Sequence, residues 1–219
     1  MRTLRYLIGI VLTALLFSQF ATAQISKSYK YKNGNIYEGE IDGWTRPSGY
    51  GTMRFPNGDR YDGNWEKGRC QGEGVYNYAA GGRYEGNWEK GEIKGKGIFY
   101  YANGDVLSAE FTDGGTQTGV GKYTYAKGAV YEGELANGQP EGQGKMVWPN
   151  GATYTGQWQK GLMSGQGEYV FESGARYVGG WANGKYEGEG TYYDVEGKAI
   201  HNTYKDGKVV PPQEETKQQ

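Results

Sequence analysis

The sequence predicts an all-β protein: an open, single-layer antiparallel sheet built of consecutive β-hairpins. Three observations carry that expectation. A motif recurs at a fixed step of 23 or 24 residues. Within each copy apolar and polar residues alternate with period 2, the signature of a strand with one buried face. No stretch of the repeats has a helical period.

The N-terminus reads as a targeting segment. Arg2 and Arg5 lead into an apolar run, Leu7 to Phe17, followed by small residues at Ala21 and Ala23. That pattern fits a secretory signal peptide over residues 1–23, cleaved after Ala23 to leave Gln24 first. The run is shorter than the roughly 20 residues a spanning helix needs; an uncleaved anchor is the alternative, since Leu7 to Ala23 is borderline if tilted. Localisation is therefore expected to be exported: periplasm, cell surface or medium. No Cys follows the run, which argues against a lipid-modified terminus. Cleavage would shift the net charge from −1 to −3. With a single Cys, the exported chain would fold without a disulfide staple.

Stacked repeats supply the missing core. The anchor Tyr-x-Gly recurs at Tyr37, Tyr61, Tyr84, Tyr131, Tyr154 and Tyr177, with a degenerate copy at Leu107-Ser108-Ala109. Two residues after each anchor Gly stands a large apolar side chain: Ile41, Trp65, Trp88, Phe111, Leu135, Trp158 and Trp181. A Gly-x-Gly follows in every copy, and a further Gly closes each unit. Between the two runs of a unit lie Asn57-Gly58, Asn103-Gly104 and Asn150-Gly151. Asn-Gly is a strong hairpin signal because both residues accept positive φ. Each unit is thus two short antiparallel strands. Leu, Ile, Val and Phe are scarce after residue 23, so the core must come from Tyr and Trp, and one hairpin alone would bury too little to offset its ordering entropy. Seven stacked units would extend roughly 70 Å. The domain is expected over residues 24–207, with full repeats over 37–199 and partial capping units at Tyr29–Gly34 and Ile200–Tyr204. Residues 208–219 are polar and expected to be a disordered tail.

The consensus Tyr-x-Gly-x-Trp-x-x-Gly-x(3)-Gly-x-Gly-x(6)-Gly resembles the MORN repeat (membrane occupation and recognition nexus). The resemblance covers residues 37 to 199. It implies a scaffold for protein association, often self-association, with a lipid role proposed for some members. The catalytic domains joined to such arrays elsewhere, lipid kinases and SET-domain methyltransferases, have no room here. No cluster of 4–8 Lys or Arg is present to hold anionic headgroups. A peripheral membrane contact is therefore only weakly supported.

Composition and motifs argue against an enzyme. A single His and a single Cys leave no metal motif of either type. Neither a cofactor nor a metal is expected, and a net charge near zero offers nothing to nucleic acid. Gly179 to Lys185 has the spacing of a phosphate loop, but Tyr186 stands where Ser or Thr should bind magnesium and no helix follows. Glu132 and Glu134 could suggest paired-carboxylate chemistry, yet they alternate on the solvent face of a strand. His201 falls in the terminal cap, and Cys70 in a position that suits packing better than redox work.

The aromatic columns are the strongest candidate for a binding surface. Tyr76, Tyr78, Phe99, Tyr101, Tyr123, Tyr125, Trp148, Tyr169 and Phe171 should form a continuous ladder, ending at Asp194. Most of it serves as core, but a single layer cannot cover both its faces, so part should line a groove. The expected function is a non-catalytic scaffold of the envelope or extracellular space, holding an unidentified protein partner there. A second copy of the chain, paired through an open sheet edge, is one form of partner. A glycan- or small-ligand-binding protein is the alternative, since flat rings also suit sugars.

Overall fold

The computed structural model describes residues 27–43, 45–112 and 117–211. The expected signal segment lies outside the described residues, as do 212–219. The described residues form β1 (Lys27–Lys30), β2 (Ile36–Asp42), β3 (Arg46–Arg54), β4 (Arg60–Glu66), β5 (Arg69–Asn77) and β6 (Arg83–Glu89). There follow β7 (Glu92–Tyr100), β8 (Val106–Phe111), β9 (Thr118–Thr124), β10 (Val130–Ala136), β11 (Gln139–Val147) and β12 (Thr153–Gln159). The last are β13 (Leu162–Val170), β14 (Arg176–Ala182), β15 (Lys185–Tyr193), β16 (Ala199–Lys205) and β17 (Lys208–Val209). Each pairs antiparallel with the next in chain order, from β1 with β2 to β16 with β17. The result is an all-β, single-layer open meander.

One unit explains the motif. Tyr61 is fully buried and stands opposite Met53 on one side and Tyr76 on the other. Its ring lies back over Gly63 and Gly74, which face each other across β4 and β5. Its hydroxyl donates to the Asn64 carbonyl at 3.0 Å; Tyr37, Tyr84, Tyr131, Tyr154 and Tyr177 each repeat that bond three residues on. The two glycines of Gly-x-Gly are needed for different reasons. Gly74 leaves room for the Tyr61 ring, whereas Gly72 sits at φ 67°, opposite a β-bulge between Gly63 and Trp65. Trp65 then reaches back across the unit boundary. Its Nε1 donates to the Gly51 carbonyl at 3.1 Å, and its ring meets Tyr37 and Tyr61 edge-on at 5.6 and 5.0 Å. Each such Trp ties two units, which is why the array rather than the hairpin is the stable object.

The turns differ from expectation. The tight two-residue turns lie at Lys67-Gly68, Lys90-Gly91, Asn137-Gly138, Lys160-Gly161, Asn183-Gly184 and Asp206-Gly207, where both residues have positive φ. Asn57-Gly58 belongs to a longer loop. Gly58 N–H donates to the Phe55 carbonyl, Phe55 N–H to the Asp59 carbonyl, and only Gly58 has positive φ. Asn57 contributes through its side chain instead, accepting from Asp59 N–H at 3.1 Å. The loops also stack: a Cβ on Gly58 would lie 3.0 Å from that of Ala79, and one on Gly81 as close to Ala102.

Polar side chains clamp successive units. Gln71 accepts from Lys90 N–H, Glu141 from Lys160 N–H and Glu187 from Asp206 N–H, each at 2.9–3.0 Å. In the degenerate fourth unit the equivalent Gln117 is buried and accepts from Gly138 N–H at 3.1 Å. Leu107 and Phe111 fill the Tyr and Trp places there, 1% and 3% exposed. At the C-terminal cap, Tyr204 takes the Trp place and meets Tyr177 edge-on at 5.4 Å. The sheet continues past residue 207, because the Asp206-Gly207 turn folds Lys208–Val209 back onto β16. The outward face is not uniformly polar. Val106, Thr124, Val130, Val147, Thr153 and Val170 form one cross-strand row, between Arg83 stacked on Tyr100 and Arg176 stacked on Tyr193.

Candidate functional site

Register places two ring columns beside the sealed anchor tyrosines, on the same face. Tyr76, Phe99, Tyr123 and Tyr169 stand directly opposite an anchor residue, and Tyr78, Tyr101, Tyr125, Trp148 and Phe171 lie two residues further toward the loops. Anchors are sealed because strands flank them on both sides and the Trp residues roof them. The columns are less covered: Trp88 reaches Tyr76 at 5.9 Å and Trp181 reaches Tyr169 at 6.1 Å. All nine expected rings are half-buried except Tyr101, which is 37% exposed.

The ladder is not continuous. An unbroken run goes Phe55–Tyr76–Tyr78–Phe99–Tyr101–Tyr123–Tyr125, with centroid steps of 5.8, 4.7, 6.4, 5.8, 6.1 and 4.6 Å. Three of those steps are stacked, with interplanar angles of 22°, 15° and 24°. Met146 then occupies the column, and a second run starts at Trp148 and passes through Tyr169 and Phe171 to Tyr192. Phe55 and Tyr192 were missed as members, although repeat spacing alone puts them in the columns. At the far end Asp194 caps a turn, its Oδ1 accepting from Glu196 and Lys198 N–H.

Two carboxylates on the longer run were also missed. Asp59 accepts from the Tyr76 hydroxyl at 2.6 Å, from Ala79 N–H at 2.8 Å and from the Asn57 amide at 2.8 Å. Asp105 repeats the arrangement with Tyr123 at 2.7 Å, Ala126 N–H at 2.8 Å and the Asn103 amide at 2.9 Å. Those donors hold Asp59 below the usual aspartate range, the Ala79 N–H most of all. On Asp105 burial acts upward, yet the Ala126, Tyr123 and Asn103 donors leave it lowered too. In turn burial and then the Asp59 hydrogen bond raise the Tyr76 phenol, and Tyr123 is raised the same way by burial and Asp105. No local sequence signal marks these bonds, which join residues 17 and 18 apart.

The other motifs resolve into structural roles. Asn183-Gly184 within the phosphate-loop spacing is a tight turn between strands. Glu132 pairs with Lys122 at 2.9 Å, and Glu134 accepts from Gln143 N–H at 3.0 Å. His201 bridges Thr191 and Glu189 at 3.0 and 2.9 Å in the exposed cap. Burial pushes the half-buried Cys70 thiol up to about 12, a poor nucleophile. A shallow polar depression of about 290 Å³ lies on Glu134, Glu141, Gln143, Gln157, Gln159 and Ser164.

An open array of hairpins, each burying its rings only against its neighbours and presenting two partly open ring columns, is a repeat protein of the solenoid kind. The chain belongs to the MORN repeat family, whose description matches residues 45–60, 61–83, 84–106, 113–130, 131–153, 154–176 and 177–198. Within the repeats the unmatched segments are 37–44 and 107–112, which hold Ile41 and Phe111 in the Trp place and, in the second, Leu107 in the Tyr place. No curated protein matches the chain in sequence. Among solved structures it is similar to the wild-type TCP10 domain of Danio rerio CPAP, at 15% identity over 81% of this chain and 83% of that one, with a TM-score of 0.49. It is also similar to the SAS-4 (dCPAP) TCP domain of Drosophila melanogaster, solved in complex with a proline-rich motif of Ana2 (dSTIL), at 12% identity over 82% and 90% of the two chains, with a TM-score of 0.47.

Proposed function

We propose that this protein is an exported, non-catalytic scaffold that holds a protein partner along the ring face of its sheet. One observation carries the reading: a seven-ring run, Phe55 to Tyr125, is left partly open along a face of the single layer among the described residues. Tyr-rich surfaces of this kind supply large contact area at low entropic cost, which is how protein interfaces concentrate their affinity. The charged start, apolar run and small residues of positions 2–23 support export.

The test is crosslinking in the native host with a C-terminal tag, comparing the parent with a variant carrying Tyr101→Ser, Tyr125→Ser and Trp148→Ser that circular dichroism shows to be folded. A defined protein recovered with the parent and lost with the variant is the expected result. Recovery of the same protein with both would overturn the ring face as the contact. If neither binds protein while the parent binds saccharides saturably, the glycan reading replaces this one. Export is checked on the same material: the recovered chain should begin at Gln24, and an intact Met1 would leave an anchored protein instead.

A further inference from the structure

We propose that the ring run from Phe55 to Tyr125 takes an extended, basic protein segment, with two cationic side chains about six residues apart seated at Asp59 and Asp105. The inference rests on the ring face being the partner surface and names the chemistry of that partner.

Two independent features coincide on one half of the molecule. The unbroken ring run reaches from just past the end of β3 to just past the end of β9, and the only carboxylates at the loop position before an anchor strand are Asp59 and Asp105. The equivalent places elsewhere hold Asn35, Gly82, Ala129, Ala152, Ala175 and Lys198. The shorter run from Trp148 to Tyr192 therefore has rings but no acidic neighbours of this kind.

Among the described residues, the two carboxylates differ from the ion-paired surface acids in what holds them. Asp42, Asp62, Glu85, Glu89, Glu168 and Glu187 each pair with an Arg or Lys of this chain. Among the described residues, Asp59 and Asp105 are held by neutral donors alone: a backbone N–H, a phenol and an amide. Their charge is stabilised but not cancelled. In each, Oδ1 accepts a single hydrogen bond, from Ala79 or Ala126, and keeps a lone pair for a second donor. The charge is felt by the neighbouring rings, since Asp59 raises the Tyr78 phenol and Asp105 those of Tyr101 and Tyr125, each as a second cause after burial. A carboxylate beside a tyrosine face suits a guanidinium, which stacks on the ring while donating to the oxygen.

Geometry sets the spacing. Asp59 and Asp105 precede β4 and β8, four strands apart, or roughly 19 Å at about 4.8 Å per strand. An extended chain laid across the strands covers that distance in about six residues at roughly 3.3 Å each, and an even number returns both side chains to the same side. Tyr101, the most open ring of the ladder, falls between the two seats.

The experiment uses fluorescent eleven-residue peptides with Arg at two positions, neutral elsewhere, titrated by anisotropy against the full chain purified from its host. Arg spaced six apart should bind at least about tenfold more tightly than the same peptide with Gln, or with Arg three apart. Asp59→Asn and Asp105→Asn keep an acceptor for the Ala79 and Ala126 N–H groups, so both should fold as the parent does by circular dichroism. Each should lose about tenfold in affinity for the six-spaced peptide and weaken its dependence on salt. Equal binding of Arg and Gln peptides, indifference to spacing, or unchanged affinity in both Asn variants would overturn the proposal. Its failure is separable from that of the scaffold reading. A partner still lost from the ring variant in cells, with no preference for basic peptides, leaves the ring face standing and removes only the charged seats.

Discussion

A Cβ added to Gly74 would meet the Tyr61 ring at 2.6 Å from Cε2, with no slack in a side chain packed on both sides. Gly74→Ala should therefore destabilise by about 2–3 kcal/mol through overpacking. Gly174, with open space around it at φ 89°, should lose only about 1 kcal/mol as Ala, from its left-handed backbone alone. Urea midpoints of the two variants check the contrast. A second pair of substitutions separates packing from hydrogen bonding. Trp65 Nε1 donates to Gly51, while Trp88 Nε1 is buried without a partner. Trp65→Phe should cost about 1 kcal/mol more than Trp88→Phe in the same measurement. The anchor phenols make the fold sensitive to base. Burial pushes Tyr37, Tyr84, Tyr131, Tyr154 and Tyr177 up to about 12. The unfolded phenol titrates near 10, so the folded state holds the proton more tightly. Their contribution is complete below about pH 10 and is lost as pH rises from there through about 12. Absorbance at 295 nm should show the exposed phenols ionising first and the anchors only together with loss of the circular dichroism signal.

At the scale of the element, the hairpin is defined by its turn. Lys67, Lys90 and Lys160 occupy left-handed positions where Asn137, Asn183 and Asp206 stand in other units. Lys160 makes no ion pair among the described residues, and its substitution is the clean one. Lys160→Asn should raise stability by about 0.5 kcal/mol, measured as an increase in urea midpoint. Strands were legible in the sequence because parity is local: Tyr, Gly and Trp at i, i+2 and i+4 can only share a face. Turn geometry was not. Asn57-Gly58 carries the stronger hairpin signal, yet Pro56 ahead of it and the Phe55–Asp59 backbone bonds make a wider loop, and Lys-Gly forms the tight turn because the sheet leaves two residues to reverse in. The same limit explains the missed carboxylates. Asp59 meets Tyr76 and Ala79 only after β4 and β5 have paired in register.

On the scale of the whole molecule, stability is a sum over units and the contacts between them. Excising residues 154–176 removes one whole repeat and joins like to like. That deletion should give a folded protein with an all-β circular dichroism spectrum and a lower midpoint. Excising 154–165 removes β12 after Thr153, the Lys160-Gly161 turn and the first four residues of β13, so it reverses the direction of everything after it and should abolish cooperative unfolding. The ring ladder depends on the same additivity, since its break at Met146 changes one column without disturbing the neighbouring anchors, Tyr131 and Tyr154, which stay fully buried. Nine rings of the aromatic columns were read from repeat spacing, but Phe55, Tyr192 and the break at Met146 were not. Which rings touch was not legible. By itself the sequence determined the all-β class, the hairpin repeat and the face each residue takes, because alternation and period act within a few residues and repeat without change. Only the tertiary structure decided that the anchors are sealed while the columns stay half open, that the ladder divides into two runs, and that two carboxylates sit on one of them. Those outcomes depend on which side chains meet across strands and across units, where register and packing rather than local preference set the distances.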